Sequence, residues 1–156
     1  MKYCYNKFKN SNAYTLIELV VVVGVILLLF TLSFKGLFII KENMDLNRAA
    51  HQLEAILKNC QSKAMYTGSD YKIDFQLPIN RYIIKCDYEV EKTVWLGNIK
   101  LHYTNFDHNQ VRFNKRGVPS MGGTVTLKTK NGKTLYVIMT PVTARTRISN
   151  TPPANW

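Results

Sequence analysis

NAYTLIELVVVVGVILLLF, residues 12–30, sets one carboxylate, Glu18, at the head of a run otherwise apolar enough to enter a bilayer. Burying a charged side chain at the centre of a span costs about 2.5–3.5 kcal/mol even on lenient insertion scales. Glu18 therefore calls for a cationic partner, or for a place among hydrated headgroups. No charge occurs from Leu19 to Phe34; Lys35 ends the run, and GLFII, residues 36–40, resumes it before Lys41. A spanning helix needs about 20 residues, with 17–25 usual, so this stretch with its flanks suffices. A secretory signal places its small-residue cleavage site after the apolar stretch. Here the small residue beside a plausible cut, Ala13, precedes it, which leaves the apolar segment on the mature chain.

The 156 residues, 46% of them hydrophobic, give room for one globular domain behind this segment. The net charge of +11 points to acidic surroundings such as nucleic acid, lipid headgroups or an acidic protein face. It is unevenly spread. Residues 1–13 carry Lys2, Lys7 and Lys9 with no acid, residues 14–90 are balanced, and residues 91–156 oppose only Glu91 and Asp107 to ten basic groups.

After Lys41 the pattern turns amphipathic. Leu46, Ala50, Leu53, Leu57, Cys60 and Ala64 fall at the alternating three- and four-residue intervals of one helix face. With no proline before Pro78 and the first turn cluster at TGSD, residues 67–70, one helix is expected from about Tyr14 to Tyr66. Beyond residue 70 the period becomes two. RYIIKCDYEV, residues 81–90, reads as one half-buried strand with Tyr82, Ile84, Cys86, Tyr88 and Val90 on its apolar face. YKIDFQL, VWLG, KLHYT and QVRF read as shorter strands. GTVTLKTKNGKTLYVIMT, residues 123–140, reads as a hairpin closed by a two-residue type I′ turn at Asn131-Gly132.

A short basic leader, a small residue, an aromatic-Thr-Leu-Ile-Glu sequence and a Val/Leu run together closely resemble the cleavage and methylation segment of type IV pilins and pseudopilins. The C-terminal half, VRFNKRGVPSMGGTVTLKTKNGKTLYVIMTPVTARTRIS, resembles the GspH/FimT branch of minor pilins, whose sheet ends in Gly-Arg-x-Arg. Here Ala144 stands in place of that glycine, and Arg145 and Arg147 match the arginines. The first motif also departs from the family at Ala13 and Tyr14, where Gly and Phe are the rule. The resemblance implies an α+β, pilin-like fold: a long N-terminal helix, transmembrane in its first half, packed on an antiparallel sheet. It implies a leader, 1–13, removed by prepilin peptidase between Ala13 and Tyr14, with Tyr14 then N-methylated. A transmembrane and filament-core helix, 14–42, and a globular domain, 43–156, would follow.

That family reading answers the charge. Glu18 lies four residues from the new terminus, about 6 Å along a helix. In a stack of subunits its carboxylate meets the amine of a neighbour's Tyr14, each ion relieving the other's burial cost, with Thr15 adding a hydrogen bond. The implied protein is a minor pilin or pseudopilin of a type IV pilus, a type II secretion system or a competence system. It would sit in the cytoplasmic (inner) membrane as a single-pass protein, its C-terminal domain outside the cytoplasm. Its implied partners are other pilin subunits, the peptidase and the assembly platform. A DNA-binding minor pilin for DNA uptake is one alternative, and a membrane-anchored binding domain that does not polymerise is a further one.

The remaining chemistry is sparse. Cys4 leaves with the leader; Cys60 and Cys86 are compatible with a helix-to-sheet disulfide and equally with two buried thiols. No metal site is expected from two thiols without histidines at ligand spacing. His51, His102 and His108 are scattered, the GVPSMG stretch at 117–122 fails the nucleophile-elbow spacing, and no Gly-rich phosphate loop follows a strand. No catalytic residue and no cofactor are expected. The basic groups Arg112, Lys115, Arg116, Lys128, Lys130, Lys133, Arg145 and Arg147 have two readings. They form a sequence-blind DNA-binding face, the arginines suiting bidentate phosphate contacts, or they are edge charges that block strand pairing or meet an acidic neighbour.

Overall fold

The computed structural model describes residues 15–141 and 143–153, the side chains of 32–35 excepted. The leader, the cut between Ala13 and Tyr14, and Trp156 lie outside the described residues. The chain divides into two units that meet in sequence at Phe38 and Ile39.

A single helix, α1, runs from Leu16 to Thr67. Its apolar part is long enough to cross a membrane by length and composition, and every side chain from Thr15 to Thr31 is exposed. Such a surface is stable only when lipid or another protein covers it.

In the second unit the same helix has a buried face. Leu46, Ala50, Leu53, Leu57, Cys60 and Ala64 are each no more than 3% exposed, as the three- and four-residue spacing requires. Truncating any of these leucines to alanine costs about 2–5 kcal/mol. The helix stops at the predicted turn cluster, where Gly68 takes a φ of +66°. Its N–H reaches Ala64 O at 3.0 Å, a left-handed cap that suits glycine.

Among the described residues eight antiparallel strands follow: β1 Tyr71–Gln76, β2 Arg81–Cys86, β3 Glu89–Trp95, β4 Lys100–Thr104, β5 Gln110–Phe113, β6 Gly123–Lys128, β7 Thr134–Met139 and β8 Thr146–Ser149. They form two four-stranded sheets, ordered β3-β2-β1-β5 and β4-β6-β7-β8, where the sequence suggested one. Their inner faces, including Ile73, Tyr82, Phe113, Val125, Leu127 and Val137, share one core with the buried helix face. Asn80 ties the two sheets together: its Nδ2 donates to Gly97 O (3.2 Å) and Ile99 O (2.8 Å), and its Oδ1 accepts from Leu101 N (2.7 Å).

Two local expectations are corrected. Residues 81–90 are not one strand. Asp87 takes a φ of +52°, the chain reverses at Asp87-Tyr88, and Cys86 pairs with Glu89. Tyr88 is thereby 96% exposed and Val90 58%, not on the apolar face. The β6–β7 connection is not a two-residue type I′ turn either. Thr129 N donates to Lys133 O at 2.9 Å and Gly132 N to Thr129 O at 3.1 Å, which leaves a three-residue loop. Gly132 alone in it has positive φ, +91°, the pattern of a type I turn followed by a left-handed residue.

Candidate functional site

At the head of α1, Thr15 acts as the N-cap. Glu18 N donates to Thr15 O at 3.0 Å and lies 3.4 Å from Thr15 Oγ1. Thr15-Leu16-Ile17-Glu18 has the spacing of a capping box, a signal legible in the sequence. Glu18 is exposed in the first turn, where a negative charge is also favoured by the helix dipole. Thr15 thus organises the backbone beneath Glu18 and leaves the carboxylate on the surface. Ala13 and Tyr14, the other half of the expected pairing, lie outside the described residues.

The basic groups separate into two sets at opposite ends of the second unit. One surrounds the C-terminal turns of α1. The loop after β5, with exposed Lys115 and Arg116, is fastened there: Gln61 Nε2 donates to Gly117 O at 3.1 Å. A Cβ on Gly117 would lie 2.6 Å from Met65 Cγ, and its φ of +72° also favours glycine here. Arg112 is ion-paired with Asp70, which commits it within the chain. Across Gln61, Arg145 and Lys58 line a shallow recess with Thr143, Ala144 and Thr146. Ala144 has a φ of +51°, a left-handed conformation that explains why glycine suits this position. Arg145 and Arg147 are exposed on either side of buried Thr146.

The other set lies at the opposite end. Lys130 and Lys133 are exposed in the β6–β7 loop, and Lys128 pairs across β4–β6 with Lys100, a residue the sequence reading did not single out. The segment before Lys100 borders the start of the buried helix, where Trp95, Leu96, Asn98 and Ile99 share a recess with Asp45, Arg48, Ala49 and Gln52. The eight predicted basic residues are therefore not one continuous face.

On the solvent side of the first sheet, an open groove of about 630 Å³ includes Asp70, Lys72, Lys85, Asp107, Arg112 and Lys115 in its lining. Three of its basic groups are paired within the chain: Lys85 and Lys72 contact Asp74 at 2.6 and 3.3 Å, and Arg112 pairs with Asp70.

Cys60 and Cys86 are both free thiols, Cys60 buried and Cys86 half-buried. They flank Lys63, which is paired with Glu91 and stands 5.9 Å from the Tyr71 ring centroid. Burial pushes the Cys60 thiol up to about 12, which makes it a poor nucleophile at neutral pH. A hydrogen bond with Cys86, then burial, raise the Tyr71 hydroxyl to about 12.

No family model and no curated protein matches the chain. Among solved structures, that of the minor pseudopilin EpsH from the Type 2 Secretion System of Vibrio cholerae is similar to it. The likeness has a TM-score of 0.56 over 67% of this chain and 96% of that one, at 13% sequence identity. At that identity the likeness is one of fold: a long helix packed on antiparallel sheets, as in a pilin-like domain.

Proposed function

We propose that the chain is a minor pilin-like subunit of the GspH/FimT branch, anchored by the first part of α1 and drawn into a pilus or pseudopilus. The observation that carries this reading is a helix exposed and apolar from Leu19 to Phe30 that continues as the core helix of a domain folded like a minor pseudopilin. Lipid covers the apolar surface first, and neighbouring subunits cover it after assembly.

In this reading prepilin peptidase cuts between Ala13 and Tyr14, Tyr14 is methylated, and its amine receives the carboxylate of Glu18 from an adjacent subunit. The domain sits outside the cytoplasm, the anchor spans the inner membrane once, and the assembly platform extracts it. Its role is structural, without a catalytic step.

The test is Glu18→Ala in a cell that carries the assembly machinery. Membrane insertion should persist while recovery of the subunit in sheared fibres falls, and undiminished recovery refutes the pairing. Ala13→Glu should in turn retain the lysine leader, seen as slower electrophoretic migration than the processed parent.

A second reading, a subunit that binds DNA for uptake, is favoured by the exposure of Arg145 and Arg147 beside the left-handed Ala144. Duplex binding that weakens steeply with salt and is lost in the Arg145→Ala, Arg147→Ala double variant supports it. No binding at low salt removes it.

A further inference from the structure

Where β4 meets β6, two lysines oppose one another in a way the fold itself does not compensate. Lys100 and Lys128 are direct cross-strand partners, and like charges so placed are destabilising. Lys130 and Lys133 are exposed one turn away. Among the described residues none of the four is paired with a carboxylate. Such a cluster is costly to the isolated domain and favourable against an external anionic surface.

Chain connectivity identifies that surface. This end of the domain is where α1 begins to be buried, at Leu46, and Ile39, the first residue of the unit, comes four residues after Lys35, where the uncharged run stops. Exposed apolar groups stand at the same end. Trp95 is 61% exposed and Ile79 50%, and the Arg81 guanidinium lies 4.9 Å from the Trp95 ring centroid. Asn80 holds these residues beside Lys100 through its bonds to Ile99 and Leu101. The acids here are Glu42, with one buried unbonded oxygen, and Asp45, which is 3.9 Å from Arg48. Tryptophan together with lysine and arginine is the combination that settles at a bilayer's interfacial layer.

We infer that Lys100, Lys128, Lys130 and Lys133, with Trp95 and Ile79, form a seat for the domain on an anionic lipid surface while the subunit rests in the membrane before extraction. The inference rests on the anchoring role given to α1 above. Leaving the membrane would then require breaking this contact, so lipid charge would tune how readily the subunit enters a fibre.

The experiment uses the full chain with Trp156→Phe, so that Trp95 is its sole tryptophan, reconstituted in vesicles carrying a headgroup-level nitroxide quencher. Trp95 should be quenched in phosphatidylcholine–phosphatidylglycerol vesicles, much less in phosphatidylcholine alone, and released by about 1 M salt, where the screening length falls to about 3 Å. Lys128→Gln, Lys130→Gln and Lys133→Gln should each lower the seated-to-free ratio about fivefold. Equal quenching in neutral and anionic vesicles, an unchanged triple variant, or protection of Trp95 by duplex DNA in place of anionic lipid overturns the seat. Failure of the chain to float with vesicles of either composition instead overturns the anchoring role itself, and the two failures are read separately.

Discussion

Replacing Asn80 by alanine removes three hydrogen bonds at the junction of the two sheets. The bonds to Ile99 O and from Leu101 N, at 2.8 and 2.7 Å, are partly buried, and the one to Gly97 O, at 3.2 Å, is exposed. A partly buried bond contributes about 1 kcal/mol net, and more when its partner is left unsatisfied; the exposed one adds less. Asn80 also has a φ of +58°, a conformation that asparagine tolerates and alanine resists by about 1 kcal/mol. The sum is about 3–4 kcal/mol, a large share of the roughly 5–15 kcal/mol that holds a typical domain together. Asn80→Asp keeps the acceptor and the tolerated backbone but loses both donor bonds, so it should cost about half as much. The assay is denaturant unfolding of the full chain in detergent, followed by near-ultraviolet circular dichroism, which reports the aromatic core rather than the helix. An Asn80→Ala variant within about 1 kcal/mol of the parent, less than one typical mutation, would refute the claim that Asn80 joins the sheets.

Two further outcomes follow from strain and burial. At Ala144, with φ +51° and 4% exposure, glycine relieves the backbone but gives up a buried methyl. Ala144→Gly should therefore stay within about 1 kcal/mol of the parent, whereas β-branched Ala144→Val should lose about 2 kcal/mol or more; equal unfolding midpoints for the two variants would show that the position is not held at positive φ. Because burial raises the Cys60 thiol to about 12, the folded state holds its proton more tightly than the unfolded one, so this contribution is complete below about pH 8.5 and is lost as pH rises toward 12. Cys60→Ala should flatten the alkaline loss of stability, and the native Cys60 thiol should alkylate far more slowly than Cys86 until denaturant is added.

The helix and its buried face were legible because a 3.6-residue period survives any tertiary context that buries one side, and Leu46 to Ala64 keep it without a break. The β6–β7 pair was legible from the alternation of its sequence around Asn131-Gly132, although β6 is buried on both faces from Thr124 to Leu127. The turn at Asp87-Tyr88 was hidden because a two-residue reversal leaves the alternation intact on both sides, and neither residue is the glycine that would have marked it. Asn131-Gly132 misled in the opposite direction: the dipeptide suits a type I′ turn, but Thr129, whose Oγ1 accepts from Lys133 N at 3.1 Å, closes a loop one residue longer. The pairing of β1 with β5 and of β4 with β6, which makes two sheets from one run of strands, depends on contacts distant in sequence and leaves no periodic trace. The separation of the basic residues follows from that topology, since linear crowding says nothing about which end of a strand a lysine occupies. Thr15 as a cap, by contrast, was present in the Thr-x-x-Glu spacing.

Because the buried face of α1 from Leu46 to Ala64 is wedged against both sheets, tension applied at Ile39 loads the domain in shear. The apolar contacts along that face then resist together. A pull on the N-terminal end of this domain is therefore met by the whole length of the helix face rather than by one contact at a time.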